Sequence, residues 1–206
     1  GRSFLKKSIS SVILQTYKNW EIIFFDNCSS DSSILIAKSF KDKRIKIFKA
    51  NKSLKLYDAR NQAIKYAKGK YITFLDTDDF WGRRKLTTQI NFLNKKKLKF
   101  CYSNLKLKFK NKKKLFITKK KNIIIPTQSL LNEYDIGILT VMAERKLFLQ
   151  NKFNKKYEII GDFDLFIRLS EITQIGYVNE CLATYRIHST NLSKKNMISF
   201  SLYQLA

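Results

Sequence analysis

Asp76, Asp78 and Asp79 place three of the chain's 16 acidic residues within one short stretch of a protein that carries 41 Lys and Arg. Carboxylates so close repel one another, and a cation ordinarily holds such a group together. An EF-hand does not fit, because the sixth and twelfth positions counted from Asp76 are Trp81 and Thr87, where that loop needs Gly and Glu. Mg²⁺ or Mn²⁺ bridging two phosphates is the economical reading, since these hard ions suit carboxylate and phosphate oxygens. A plain turn is the alternative, with the carboxylates capping the next helix and pairing with Arg83 and Arg84. A phosphatase with a nucleophilic Asp at a strand end is a third reading, which nothing else in the sequence supports.

A metal at that position would stabilise a leaving diphosphate, and the reaction would then need a base to activate the acceptor. Asp162 is the candidate, because Gly161 and Asp162 open a segment whose Leu165, Phe166 and Leu169 share a helical face. The competing reading makes Asp162 the N-cap of that helix.

The elements that must position these groups follow from hydrophobic periodicity. Residues 3–17 carry Leu5, Ile9, Val12 and Ile13 at helical spacing, with Ser3 as N-cap. Residues 20–25 form an apolar run that stops at Asp26, as a buried strand does at the carboxyl edge of a parallel sheet. A helix over 31–40 capped by Asp31, a strand over 45–48 and a helix over 58–67 closed by a left-handed Gly69 follow. Residues 71–75 repeat the apolar run and end in the acidic cluster. This alternation predicts an α/β fold with an open, mostly parallel, doubly wound sheet, whose ligands bind beyond the carboxyl ends of the strands. Further on we expect a helix over 83–94, a hairpin turning near Asn111, strands over 138–142 and 176–178, and a helix over 163–170.

At 206 residues the chain suits one domain, and its 44% hydrophobic and 14% aromatic content is that of a folded protein. No apolar stretch approaches the roughly 20 residues that span a bilayer, and Cys28, Cys101 and Cys181 are too widely spaced for a disulfide framework or a zinc site. A cytoplasmic location is expected. The net charge of +25 comes mostly from Lys, in runs such as 95–97, 112–114 and 119–121. Without a recognition motif that charge supports only non-specific contact with nucleic acid. Attraction to an anionic membrane face and biased codon usage are its other two readings.

The chain resembles the family-2 glycosyltransferases of GT-A fold. The resemblance runs through Phe4-Leu5, Ser8-Ile9, Ser11-Val12, Gln15-Thr16-Tyr17, Asn19-Trp20-Glu21-Ile22-Ile23, Asp26-Asn27, Ser29, Asp31, Ala59-Arg60-Asn61, Ala67, Gly69, Tyr71-Ile72, Phe74-Leu75-Asp76, Asp78-Asp79, Gly161-Asp162, Tyr185-Arg186 and His188. It implies inverting transfer of a sugar from a UDP- or dTDP-sugar to a saccharide or lipid-linked acceptor, in cell-envelope polysaccharide synthesis. Asp26 or Asn27 would read the base, Arg60 would lie near the nucleotide and Asp76 near the ribose or sugar. Asp78 and Asp79, joined by His188, would bind Mg²⁺ or Mn²⁺, and Asp162 would be the general base. Two departures stand out. Asp26-Asn27 replaces the commoner pair of Asp, and Gly161 stands where Glu often precedes the base. Trp81 is expected to anchor the helix that follows it, with stacking on a sugar as the alternative. A binding or scaffold subunit that keeps this fold without catalysis is the alternative.

The resemblance also implies one GT-A domain over 1–206, with a nucleotide half in 1–100 and an acceptor half in 101–206. Its strand order, 3-2-1-4, would require a first strand that this sequence lacks, so residues 20–25 and 71–75 should not pair directly.

Overall fold

The computed structural model describes residues 2–109, 113–116, 123–188 and 191. Helix α1 (Arg2–Ile13) leads to strand β1 (Ile22–Asp26), helix α2 (Ser33–Ser39) and strand β2 (Ile45–Lys49). β1 and β2 pair in parallel, from Ile22 opposite Ile45 to Asp26 opposite Lys49. Leu5 and Ile9 of α1 and Ala37 of α2 are buried over this pair, against Phe24, Ile45 and Ile47. These are the residues that helical and strand spacing assign to the inner faces. Ser3 lies within α1 and is not its N-cap. Asp31 stands one position before the N-cap Ser32, and its Oδ1 accepts from both the amide and the hydroxyl of Ser33.

Helix α3 (Leu56–Tyr66) precedes the short strands β3 (Tyr71–Ile72) and β4 (Phe80–Trp81), then helix α4 (Lys85–Lys96). Strands β5 (Phe100–Lys108), β6 (Lys113–Phe116) and β7 (Ile124–Ile125) come next. They are followed by helix α5 (Thr127–Asn132), a 3₁₀ turn over Ile138–Thr140 and strand β8 (Met142–Glu144). Helix α6 (Arg145–Gln150), helix α7 (Gly161–Ile172) and strand β9 (Ile175–Arg186) complete the described elements.

The larger sheet runs β3-β8-β5-β9-β4, with β6 on β5 and β7 on β9. Only β5 and β9 pair in parallel within it, so the sheet is mixed and the expectation of a mostly parallel one is corrected. The cause is the second half of the chain, where a hairpin and short returns bring strands back antiparallel. The period of two along β5 serves two cores. Phe100 and Tyr102 face one cluster with Leu165, Phe166 and Leu169 of α7, while Cys101 faces another with Leu86 and Leu93 of α4.

Other expectations are corrected locally. Residues 138–140 coil into the 3₁₀ turn, which the Thr140 hydroxyl closes by donating to the Gly137 carbonyl at 2.6 Å. Gly69 is not left-handed. Its amide and that of Lys68 donate instead to Glu21 Oε1, at 2.9 and 2.6 Å. Residues 71–75 pair only over Tyr71–Ile72, because the chain then leaves the sheet edge and Thr73 Oγ1 turns to the Val141 carbonyl. The hairpin pairs Lys108 with Lys113, and its tip around Asn111 lies outside the described residues. β1 pairs with β2 and β3 with β8, and among the described residues no strand joins β1 to β3.

Candidate active site

The polar face of α1 is a ruler laid along the acidic loop. Ser8, Ser11 and Gln15 are all buried and share one side of the helix. The Ser8 hydroxyl donates to the Asp76 carbonyl at 3.2 Å, and Ser11 Oγ accepts the Trp81 amide at 3.1 Å. Just past the helix end, Gln15 donates to the Gly82 carbonyl at 2.8 Å and accepts the Leu86 amide at 3.0 Å. Trp81, buried at the end of the loop, donates its indole N–H to the Leu139 carbonyl at 3.1 Å.

Within this frame the two adjacent aspartates part company. Asp79 is completely buried, and its Oδ1 accepts the Arg186 amide at 2.8 Å. Burial and the charges of Asp78 and Asp76 push its carboxyl up to about 8, against the opposing pull of the Arg186 amide and guanidinium. Asp78 keeps about a fifth of its side chain exposed, and its Oδ2 lies 2.9 Å from His188 Nε2. His188 stacks on Phe4 with ring centroids 5.1 Å apart, and Asn191 Nδ2 reaches the same Asp78 oxygen at 3.4 Å.

Among the described residues no three His, Cys, Asp or Glu side chains gather to hold an ion by themselves. Asp78 and His188 lie together, whereas Asp79 is buried with Oδ1 on the Arg186 amide and Oδ2 without a hydrogen-bond partner among the described residues. One carboxylate and one imidazole still fit Mg²⁺ or Mn²⁺ when a diphosphate supplies further oxygen ligands, as these ions ordinarily share their shell with substrate phosphate and water.

Helix α3 supplies the other wall. Arg60, largely buried, places Nη2 at 2.9 and 3.2 Å from the two carboxylate oxygens of Asp76. Asn61 holds the loop ahead of α7, exchanging two hydrogen bonds with the Phe153 backbone at 2.8 and 3.0 Å. Asp162 is the second residue of α7, whose N-cap is Ile160, so the N-cap reading of Asp162 is set aside. Its Oδ1 accepts the Tyr57 hydroxyl at 3.1 Å. Burial raises the Asp162 carboxyl above the ordinary range, while Arg60, the Tyr57 hydroxyl and the amides of its own helix turn pull the other way.

Asp26 and Asn27 stand where β1 ends. Asp26 is buried, with Oδ2 accepting the Ser29 amide at 3.3 Å and Oδ1 left without a partner. Asn27 gives both ends of its amide to the Leu54 backbone, at 2.8 and 2.9 Å. Asp26 ends β1, Arg60 and Asp162 lie on α3 and α7, and Asp76, Asp78 and Asp79 occupy the loop between β3 and β4. Sequence reasoning missed Tyr57, although its place one turn before Arg60 was a usable signal. It also missed the purpose of Ser8, Ser11 and Gln15, which appeared only as members of a pattern.

The family model "Glycosyl transferase family 2" matches residues 2–156. An Escherichia coli protein named UDP-Glc:alpha-D-GlcNAc-diphosphoundecaprenol beta-1,3-glucosyltransferase WfgD is 34% identical over 193 residues, covering 92% of this chain and 74% of its own. TuaG of Bacillus subtilis, named a putative teichuronic acid biosynthesis glycosyltransferase, is 29% identical over 94% of this chain and 77% of its own. The crystal structure of S. aureus TarS 1-349 in complex with UDP-GlcNAc superposes with a TM-score of 0.79 at 15% identity, over 92% of this chain and 56% of that one. The family model spans well over half of the sequence, and the chain belongs to glycosyl transferase family 2.

Proposed function

We propose that the chain transfers a sugar, with inversion, from a uridine diphosphate sugar to a lipid-linked or saccharide acceptor of the cell envelope. One observation carries the reading. The Arg60 guanidinium bonds Asp76 in the acidic loop, while its charge also acts on Asp162 in the first turn of α7. A single cation thus links the carboxylate on the donor side to a carboxyl suited to taking a proton.

In this reading the partnerless Asp26 oxygen accepts from the base, and Asn27 shapes the pocket through its clasp on Leu54. Asp76 faces the ribose or sugar. Asp78 and His188 hold Mg²⁺ or Mn²⁺, an ion that would neutralise charge on the departing diphosphate. Asp79 fixes β9 behind them. Asp162 accepts the acceptor hydroxyl's proton as the anomeric carbon is attacked from the face opposite the diphosphate. Residues 1–100 supply the nucleotide side and 101–206 the base. The names of the relatives, one acting on a diphosphoundecaprenol-linked GlcNAc and one in teichuronic acid synthesis, support an envelope acceptor. The excess of Lys supports work at the cytoplasmic face of an anionic membrane.

The test uses UDP-glucose, GlcNAc-diphosphoundecaprenol and Mn²⁺. Asp162→Asn should retain UDP affinity by calorimetry while turnover falls about 100-fold or more, the scale of losing a general base. Transfer at the wild-type rate would remove Asp162 from the chemistry.

A further inference from the structure

Tyr57 is almost wholly enclosed, stacked on Phe153 with ring centroids 5.4 Å apart and approached by the Arg60 guanidinium at 5.4 Å. A hydroxyl so enclosed needs one hydrogen-bond partner. Yet the Tyr57 hydroxyl lies on Asp162 Oδ1 at 3.1 Å and also on the Ile159 carbonyl, in the turn that launches α7. The same ring dictates the residue before Asp162. A Cβ at position 161 would stand 2.6 Å from Tyr57 Cδ2 and Cε2, closer than real atoms approach, so glycine is needed there to admit the ring.

We propose that Tyr57 is the positioning residue of the base, fixing the direction of the Asp162 carboxylate through a bond from its hydroxyl, with Gly161 as the space that makes the bond reachable. This rests on Asp162 being the base. The phenol has one proton and two acceptors, and that gives it a place in both states of the carboxyl. While Asp162 is charged, the phenol O–H donates to Oδ1. Once Asp162 has taken the acceptor's proton, the phenol O–H turns to the Ile159 carbonyl and its oxygen accepts from the new carboxylic O–H. No net proton leaves the phenol, which burial and the nearby Asp162 charge hold well above the range where it would ionise. The titratable groups that act on Asp162 are Tyr57 and Arg60 from α3 and Tyr134 from the segment after α5, while Lys55 and Glu158 pair with each other in solvent. The Tyr57 hydroxyl hydrogen-bonds the carboxylate directly.

A donor bonded to the charged form favours that form. Removing it therefore raises the point at which Asp162 takes up a proton, and the acid limb of turnover moves to higher pH. Tyr57→Phe keeps the ring and removes the bond. We expect it to lower turnover about tenfold at neutral pH, the scale of one hydrogen bond to a charged group, with UDP affinity unchanged. The Asp162 carboxyl band, isolated as the infrared difference between wild type and Asp162→Asn, should titrate at higher pH in Tyr57→Phe. Gly161→Ala, which displaces the ring, should shift the band the same way. A Tyr57→Phe variant with wild-type turnover, acid limb and infrared titration would reduce Tyr57 to packing and overturn the proposal while leaving the base in place. If Asp162→Asn itself keeps turnover, the base assignment fails first, and the role of Tyr57 falls with it.

Discussion

Asp78 and Asp79 are neighbours in the chain with opposite surroundings, one reachable from solvent beside His188 and the other sealed against β9. That contrast makes a prediction about single side chains. In Asp78→Ala the gain in UDP affinity on adding Mn²⁺ should shrink by at least about tenfold, the lower end of what losing even a supporting neighbour of a metal ligand costs. Calorimetry with and without Mn²⁺ measures it, and an undiminished gain would take Asp78 away from the ion. The sequence located the aspartates because three carboxylates in so short a loop are conspicuous in a basic chain. It could not tell which of them is open, since the group that closes Asp79 is an amide 107 positions away. Asn27 carries the same lesson: its amide reads as a free recognition group until Leu54 folds onto it.

Elements long enough to display a period were legible, and those too short were not. α1, α4 and α7 were expected within a few residues of their observed limits, because each buries an apolar stripe. β4 and β7 are two residues each, and no alternation can be seen in two residues. Position 85, the first residue of α4, also hides a feature that no periodicity reveals. Lys85 is wholly buried, donating to Gln89 Oε1 at 2.6 Å and Thr73 Oγ1 at 2.8 Å, with its ammonium 4.5 Å from the centre of the Trp81 ring. Burial pushes its pKa down to about 7 from an ordinary value of 10.5. Between these two values the unfolded chain binds the proton and the folded chain does not, so stability should rise with pH across that window. Below about 7 both states are protonated and the contribution is flat. Urea unfolding of wild type and Lys85→Met, at a series of pH values from 6 to 10, should show a stability difference that moves in favour of wild type as pH rises. A difference independent of pH would show that Lys85 stays charged in the fold.

For the whole molecule the dominant physical fact is a net charge of +25. Each Lys that reaches an anionic lipid surface contributes about 1 kcal/mol, so a handful on one side suffices for reversible attachment. We therefore predict co-sedimentation with phosphatidylglycerol vesicles at low ionic strength and release as salt shortens the screening length. Protein that stays in the supernatant at low salt would rule this attachment out. Of the Lys runs, 95–97 is described, while 112–114 is described in part and 119–121 lies outside the described residues. The grip of α1 on the acidic loop has a consequence for how such a chain assembles during synthesis. Ser8 reaches Asp76 across 68 positions, and Gln15 reaches Gly82 and Leu86 across 67 and 71. A ribosome therefore releases the helix well before it releases what the helix must hold. Contacts of such separation carry a larger loop-closure cost than shorter-range contacts do. The acidic loop can therefore be held by α1 in this way only once residue 86 has been synthesised.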